Sequence, residues 1–273
     1  PRGVWSRIGE FEKLTGMKVE ADMLGWPVYM QRSDLELSAG AGTYDFLWVI
    51  FVRASRWMNA RWLAPLNPLM DNPKITDKAL LALDDFAPKL LETFRKDNNL
   101  YALPMLADTN AMMCRTDIMT KIGLSAPPDS FDDLLAACKK VHSPEVAGFV
   151  TRGVPSGLHW NFPVFLQGFG GDFFADPPRD MTPTLNAEPA VKSADFLALL
   201  IREYSPPGAA TFDHPDWVPL YQRGNVAFSI EADTWLTQAM DKAKSQVHDK
   251  IKIARVPKGP ARRAPQMAVH GFA

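Results

Sequence analysis

The stretch Phe46-Leu47-Trp48-Val49-Ile50-Phe51-Val52 decides the fold class of this chain. A continuous apolar run of this length is typical of a strand that other elements cover on both faces. It follows a segment, 28–39, whose pattern predicts a helix ending at Gly40-Ala41-Gly42. A helix followed by a strand of this kind predicts an α/β fold with a parallel sheet.

Upstream, the sequence predicts another helix followed by a strand. The apolar residues of 4–14 recur at helical spacing, and Gly16 stands where a helix-ending glycine is expected. Residues 17–23 then alternate between apolar and charged side chains, as in a half-buried strand. Parallel α/β sheets usually begin with a strand, whereas this chain begins with a helix. We therefore expect a first strand to be missing from the N-terminus.

The length of 273 residues predicts two lobes, because domains commonly run to about 100–200 residues. Asp97-Asn98-Asn99 predicts a turn before a short strand, 100–103, and a second strand is predicted at 111–114. The small polar linker 107–110 between these strands predicts a first crossing between the lobes. Pro257-Lys258-Gly259-Pro260 predicts a second crossing. The predicted lobes are thus 1–107 plus 257–273, and 108–256.

Composition excludes several classes of protein. Thirty Lys and Arg against 31 Asp and Glu leave a net charge of −1, which disfavours nucleic-acid binding. No apolar run approaches the roughly 20 residues that span a bilayer. Cys114 and Cys138 have no metal-binding spacing, and a helical stripe with a capping box at Ser130 predicts that Cys138 is a core residue.

Known catalytic patterns are absent from the sequence, including the nucleophile elbow, the phosphate-binding loop and the dinucleotide fingerprint. The five histidines are scattered without ligand spacing, so we predict neither a metal site nor a cofactor. Asp and Glu are numerous, however, and their separation in space is not visible in a sequence. The paired carboxylates of a glycoside-cleaving enzyme therefore remain an open alternative.

The positive signal is aromatic, with eight Trp in the chain. Packing in the core is the plainer explanation for Trp48, Trp57, Trp62 and Trp217. Trp160 and Trp235 stand beside polar residues such as Asn161 and Asp233, and for these two both core packing and a ligand contact remain open. A sugar ring has an apolar C–H face and a rim of hydroxyls. A flat aromatic surface beside carboxylate, amide and guanidinium groups suits such a neutral ligand.

Several segments, in their order and spacing, resemble the family 1 extracellular solute-binding proteins, the sugar receptors of bacterial ABC importers. The resemblance extends along nearly the whole chain, and each motif is weak alone. The segments are Phe11-Glu12-Lys13-Leu14-Thr15-Gly16-Met17-Lys18-Val19, Trp62-Leu63-Ala64-Pro65-Leu66, Leu100-Tyr101-Ala102-Leu103-Pro104, Trp160-Asn161-Phe162 with Phe169-Gly170-Gly171-Asp172-Phe173-Phe174, Pro206-Pro207-Gly208-Ala209-Ala210, and Gly224-Asn225-Val226-Ala227-Phe228.

The resemblance implies a two-lobe periplasmic-binding-protein fold, type II-like, in which each α/β lobe is a sheet flanked by helices and hinge strands join the lobes. It implies a monomeric, non-enzymatic receptor that binds a sugar or polyol in the interlobe cleft, closes on it by a hinge motion and delivers it to the permease subunits. The implied location is periplasmic or extracellular, with lipid anchoring as one option. Family members are longer, so the chain is expected to be truncated at both ends.

The resemblance also implies a set of ligand contacts. For Asp108 and Asn110 the alternative is that they cap strand ends, and for Arg152 it is a surface arginine. A non-sugar solute, such as a peptide or an organic acid, is the alternative ligand and would favour a positively charged cleft. The implied contacts are Phe51, Asp108, Asn110, Arg152, Trp160, Asp233, Trp235 and His270.

Two departures from the family pattern affect this set. The stretch from Ile230 to Trp235 is one residue longer than the commoner form, which leaves open whether Glu231 or Asp233 faces the ligand. His270 stands where many relatives have Trp. An imidazole offers less stacking area and an added hydrogen-bonding edge, which would change the sugar preference.

Overall fold

The structure, a computed structural model, describes residues 6–273, apart from the side chains at positions 26, 27 and 156. The chain divides into two compact units, the first reaching to Ala107 and including Ala268–Ala273, the second being Asp108–Met267. Residues 257–267, which the sequence analysis assigns to the first lobe, lie in the second unit. There the amide of Lys258 donates to the carbonyl of Asp129, 2.7 Å away.

The first unit combines helices with short strands. Its core contains Val49, Trp57, Phe94 and Leu100, none of which is exposed. Its helices are α1 Ile8–Thr15, α2 Trp26–Ala39, α3 Phe51–Asn59, α4 Asn67–Met70, α5 Lys78–Leu81 and α6 Pro88–Glu92, and its strands are β1 Trp48–Ile50, β2 Arg95–Lys96, β3 Asn99–Leu100, the start of β4 Leu103–Arg115, and most of β10 Met267–Phe272.

The deciding apolar run forms a strand over fewer residues than predicted. Only β1 is extended, and at Phe51 the chain turns into helix α3. β1 pairs antiparallel with β10, with Ile50 opposite His270. The expectation of a parallel sheet at this strand is therefore wrong, because its partner is the returning C-terminal segment and not a strand reached through a right-handed crossover.

The predicted helix at 4–14 is confirmed from Ile8 onward, and its Gly16 adopts φ +72°. Val4 lies outside the described residues. The predicted strand at 17–23 is wrong, since no described strand pairs with this segment and Met17 and Met23 are 63% and 69% exposed. Alternating side chains favour a strand only where a neighbour supplies the hydrogen-bond ladder.

The predicted turn at Asp97-Asn98 is confirmed as a tight hairpin between β2 and β3, in which both residues have positive φ. The second predicted strand, 111–114, is the later part of a longer strand, β4, which begins at Leu103. Of the first predicted strand, 100–103, only the end residues are in strands, Leu100 in β3 and Leu103 in β4. Pro104 stands near the start of β4, where the missing N–H removes little of the ladder. The polar linker 107–110 is thus extended backbone inside β4, and the amide of Asn110 donates to the carbonyl of Gln266 at 3.1 Å.

The second unit is a mixed sheet with helices on both faces. β5 runs parallel to β8, while β4 is antiparallel to both β8 and β9. Its helices are α7 Thr116–Lys121, α8 Phe131–Val141, α9 Pro155–Gly168, α10 Glu188–Tyr204, α11 His214–Gln222 and α12 Asp233–Ala239, and its strands are the rest of β4, β5 Ala147–Val150, β6 Phe174–Asp176, β7 Asp180–Pro183, β8 Val226–Ala232 and β9 Ile251–Ala254.

Alternate residues of β4 enter two different cores. Met112 and Cys114 belong to the larger core cluster, together with Cys138 of α8, and Met113 belongs to the cluster formed with α11 and α12. Cys138 is fully buried, which confirms the predicted core position. Burial raises the pKa of the Cys114 thiol to about 12 and also raises the pKa of Cys138. Both thiols are therefore protonated at neutral pH and are poor nucleophiles.

The predicted capping box at Ser130 is confirmed. The Ser130 hydroxyl accepts from the amide of Asp133 at 3.1 Å, and the Asp133 carboxylate accepts from the amide of Ser130 at the same distance. We expect Ser130→Ala to lower the free energy of unfolding by about 1 kcal/mol, because α8 loses its N-cap acceptor. Chemical denaturation measures this change.

Ser125→Ala, at an exposed position in the preceding loop, is the matched control. Its effect should stay within about 0.5 kcal/mol. Equal losses in the two variants would show that the cap does not stabilise α8.

Candidate functional site

Polar and aromatic side chains gather at one edge of the second unit's sheet. β5 and β8 are parallel, so their carboxyl ends meet there, followed by Thr151 and by Asp233 respectively. β4 is antiparallel to β8 with Asn110 opposite Ala232, which brings the start of the second unit to the same edge. In open α/β sheets, ligands bind outside the carboxyl ends of the parallel strands.

Asp233 begins α12 directly after β8 and is partly exposed. Its Oδ1 accepts from the amide of Thr109 at 3.3 Å. Burial is the main cause that raises the pKa of its carboxyl, and the negative charge of Asp108 raises it further. The two carboxylates therefore interact electrostatically, and a ligand hydroxyl that donates to Asp233 would stabilise its charged form.

Trp235 lies in the first turn of α12 and is half-buried. The imidazole of His214, the first residue of α11, stacks on its indole with 3.8 Å between ring centroids and 20° between planes. Nδ1 of His214 is in turn 3.3 Å from Oδ1 of Asp213. These contacts fix the plane of the indole and cover one of its faces.

Glu231 is the internal carboxylate of this edge, with no exposed surface. Its carboxylate accepts from the amide of Arg152 at 3.0 Å, from Nε of Arg152 at 3.2 Å and from Nδ2 of Asn161 at 2.5 Å. Nη2 of Arg152 is 3.1 Å from Oε2, and the Thr151 hydroxyl donates at 3.2 Å. Residues of the chain itself thus supply all the hydrogen bonds to the Glu231 carboxylate described here. Asp233, two residues later, is partly exposed.

The amides of Asn110 and Asn161 extend this network. Nδ2 of Asn110 lies 3.4 Å from Oδ1 of Asn161, and Oδ1 of Asn110 accepts from the amide of Gln266 at 3.0 Å. Asn161 is fully buried and Asn110 is 3% exposed. Both side chains therefore join strand β4, helix α9 and the segment before β10 within the second unit.

Trp160 stands next to Asn161 on α9 and is 5% exposed, so little of its ring reaches the surface of the second unit. Arg152 has a side chain that is 13% exposed and is engaged by Glu231. The predicted contacts Asp108, Asn110, Arg152, Asp233 and Trp235 thus belong to the same sheet edge. As ligand contacts they remain predictions.

The other two predicted contacts lie in the first unit and touch each other. Phe51 meets the ring of His270 edge-on, with centroids 5.7 Å apart. Trp48, assigned to the core from sequence, is only partly buried and packs against the same imidazole at 5.2 Å. These three rings form an aromatic cluster at the paired ends of β1 and β10.

Sequence reasoning missed the roles of Glu231, Asn161 and His214. A signal for Glu231 was available, because a charged residue inside the apolar strand Val226–Ala232 must be paired. Arg152 follows the neighbouring strand β5 and is the partner that such a carboxylate requires. His214 gave no such signal, since its position against Trp235 depends on two helices far apart in sequence.

Within 6–273, we find no group of three or more His, Cys, Asp or Glu side chains arranged to hold a metal ion. No helix in that range has both the length and the apolarity needed to cross a bilayer.

The two α/β units and the polar strand ends define the fold of a solute-binding protein, and comparison with known proteins agrees. The family model described as bacterial extracellular solute-binding protein matches residues 3–273, and the chain belongs to this family. A crystal structure of an ABC transporter solute-binding protein from Agrobacterium radiobacter K84, in complex with ribitol, has a TM-score of 0.88 at 23% identity, over 100% of this chain and 67% of that one.

Two curated relatives extend the comparison. A probable amino-acid ABC transporter periplasmic-binding protein of Sinorhizobium fredii is 27% identical over 91% of this chain and 57% of its own length. A mannitol-binding protein of Pseudomonas aeruginosa is 25% identical over 85% of this chain and 52% of its own length. The chain spans about half the length of these relatives.

The proximity of Asp108 and Asp233 leads to a titration experiment. We expect Asp108→Asn to lower the pKa of Asp233, because it removes a negative charge that disfavours ionisation of the second carboxyl. Carboxyl ¹³C NMR titration measures the change. Asp249→Asn, at an exposed position of the same unit, should leave that pKa unchanged. A pKa for Asp233 that is the same in all three proteins would show that the two groups do not interact.

Gly153 allows close packing directly after Arg152. Its amide donates to the carbonyl of Phe212 at 2.9 Å, and a Cβ at this position would lie 2.6 Å from Cα of Ala210. We expect Gly153→Ala to destabilise the protein by about 1–3 kcal/mol, because backbone must shift to admit the methyl group. Thermal unfolding tests this, with Gly9→Ala as the control since its Cβ would meet nothing within 4 Å. Unchanged stability of Gly153→Ala would contradict the close approach.

Proposed function

We propose that this chain belongs to the substrate-binding protein of an ABC importer that binds a sugar or polyol and delivers it to the permease. The observation that carries the proposal is the sheet edge at which Asp233, Asp108 and the stacked indole of Trp235 lie together. Carboxylates accept from ligand hydroxyls, and the indole packs against a C–H face. The protein binds its ligand without turnover, in the periplasm or outside the cell, with lipid anchoring as one mode of attachment.

The relatives support a polyhydroxyl ligand. The Pseudomonas relative is a mannitol-binding protein, and the Agrobacterium structure contains ribitol. Both ligands are neutral and consist of a carbon chain with a hydroxyl on every carbon. Such a molecule needs many acceptors and donors but no charged partner, which suits the groups at this sheet edge.

The charge balance at this edge argues against an organic acid, although one relative is a probable amino-acid transporter component. The positive charge of Arg152 is already balanced by the carboxylate of Glu231. Arg152 therefore offers an anionic ligand no unbalanced positive charge, whereas a neutral hydroxyl needs none. Asp108, Asn110, Arg152, Trp160, Asp233 and Trp235, together with Phe51 and His270 of the first unit, remain the proposed contacts.

Isothermal titration of the full-length gene product tests the proposal, with D-mannitol, ribitol, maltose and an organic acid as ligands and chromatography of the ligand afterwards. We expect saturable heat with a polyol or sugar, and the ligand recovered unchanged. Binding of the organic acid alone, or release of a cleaved product, would overturn the proposal. The hinge closure implied by the family resemblance remains a prediction, which small-angle scattering with and without ligand can check.

Trp235 provides the most direct mutational test. We expect Trp235→Ala to weaken ligand binding by more than about 1 kcal/mol, because an aromatic stacking contact is lost. Titration calorimetry measures the loss and circular dichroism verifies the fold. Trp62→Ala, which removes a partly buried Trp of the first unit beneath Arg56, is the matched control. Unchanged affinity in Trp235→Ala would remove this residue from the site.

A further inference from the structure

Glu231 has the properties of a residue that acts on a ligand through its neighbours. It has no exposed surface, and its two oxygens accept from the side chains of Thr151, Arg152 and Asn161 and from the backbone amides of Arg152 and Ala232. A ligand therefore has no direct access to its carboxylate. Whatever Glu231 contributes to binding must pass through Arg152 and Asn161.

Arg152 is held in a fixed orientation by this carboxylate. Nε donates to both oxygens of Glu231 at 3.2 Å, and Nη2 is 3.1 Å from Oε2. The side-by-side contact fixes the plane of the guanidinium, because Nε and Nη2 lie on one edge of a rigid planar group. The backbone amide of Arg152 is bound to the same carboxylate, so the start of the loop after β5 is fixed as well.

Asn161 is oriented by the same group. Its Nδ2 donates to Oε1 of Glu231 at 2.5 Å and to the Thr151 hydroxyl at 2.7 Å. This assigns its Oδ1 to the opposite side, where Nδ2 of Asn110 approaches to 3.4 Å. One buried carboxylate thus sets the direction of two side chains, and through Asn161 it reaches a third.

We propose that Glu231 is a positioning residue for ligand binding, which orients the guanidinium of Arg152 towards a ligand hydroxyl. This inference rests on the proposed function. Arg152 presents donors only, so its ligand partner is a hydroxyl or ring oxygen that accepts, complementary to the acceptor Asp233. A polyhydroxyl ligand satisfies both because each hydroxyl donates and accepts.

The experiment is a double-mutant cycle on ligand affinity in the full-length protein, with D-mannitol, ribitol and maltose as probes. Glu231→Gln keeps the shape of the side chain and removes its charge, while Arg152→Lys keeps the charge and removes the planar fork. We expect each single variant to weaken binding about tenfold and the double variant to weaken it no more than the larger single loss.

A control separates positioning from general stability. Asp117→Asn removes a carboxylate from Arg115, another buried arginine of the same unit, at the far end of β4, where Nη2 and Oδ2 are 2.7 Å apart. It should lower the melting temperature and leave affinity unchanged. The ¹⁵N–¹H signal of Arg152 Nε can be followed by NMR without any ligand. It should be sharp in the wild type, and in Glu231→Gln it should be broader or shifted.

The outcomes are distinct. If the wild type binds none of the three probes, the proposed function fails and the inference fails with it. If the wild type binds but the single losses multiply in the double variant, or Glu231→Gln binds as the wild type does, only the inference is overturned. If Glu231→Gln does not fold, Arg152→Lys decides alone, since unchanged affinity there would overturn the proposed route from Glu231 through Arg152 to the ligand.

Discussion

The pairing of a fully buried carboxylate with an arginine is the constraint on which the carboxyl edge of the second unit's sheet depends. Glu231 is the only charged residue of a fully buried strand, where an unpaired charge would cost several kcal/mol. Its partners come from the end of β5 and from α9, so pairing fixes three elements at one point. The hydrophobic clusters on the two faces hold the sheet, but this polar contact determines how its carboxyl ends are arranged.

Two acids at the end of β8 consequently differ in their surroundings. Glu231 and Asp233 are two residues apart at the end of one strand, yet the first is enclosed and the second opens α12 at the surface. The enclosed acid holds the side chains of Arg152 and Asn161, and in the proposed site the partly exposed acid would accept from the ligand. The chain belongs to the bacterial extracellular solute-binding family, and in the site proposed above a polyhydroxyl ligand would use both the donors and the acceptor.

Local patterns predicted the elements whose causes are local. The capping box at Ser130, the turn at Asp97-Asn98 and the helix end at Gly16 all follow from hydrogen bonds and backbone angles within a few residues. The strand at 17–23 failed because a strand depends on a partner that alternation does not reveal. The direction of β1 failed for the same reason, since its partner is about 220 residues away along the chain.

The residues of the candidate site were predicted from the family resemblance, which implies positions but not the contacts between them. It selected Asp233 and Trp235, but the contact between Trp235 and His214 joins two helices that no local pattern relates. Glu231 was in view as one of two acids, and only the three-dimensional pairing with Arg152 shows which acid is enclosed. The sequence thus predicted which types of residue lie near the site. It did not predict which acid is buried and which is partly exposed.

The stacking of an imidazole on the Trp235 indole has a stereochemical consequence. If Trp235 is the proposed ligand contact, the imidazole leaves at most one side of the ring for a pyranose or an extended polyol. The two sides of a sugar differ in which hydrogens project axially, and an epimer with a single inverted hydroxyl would push an oxygen into the indole. Stacking on one side alone would therefore discriminate between epimers by steric exclusion, independently of hydrogen bonds.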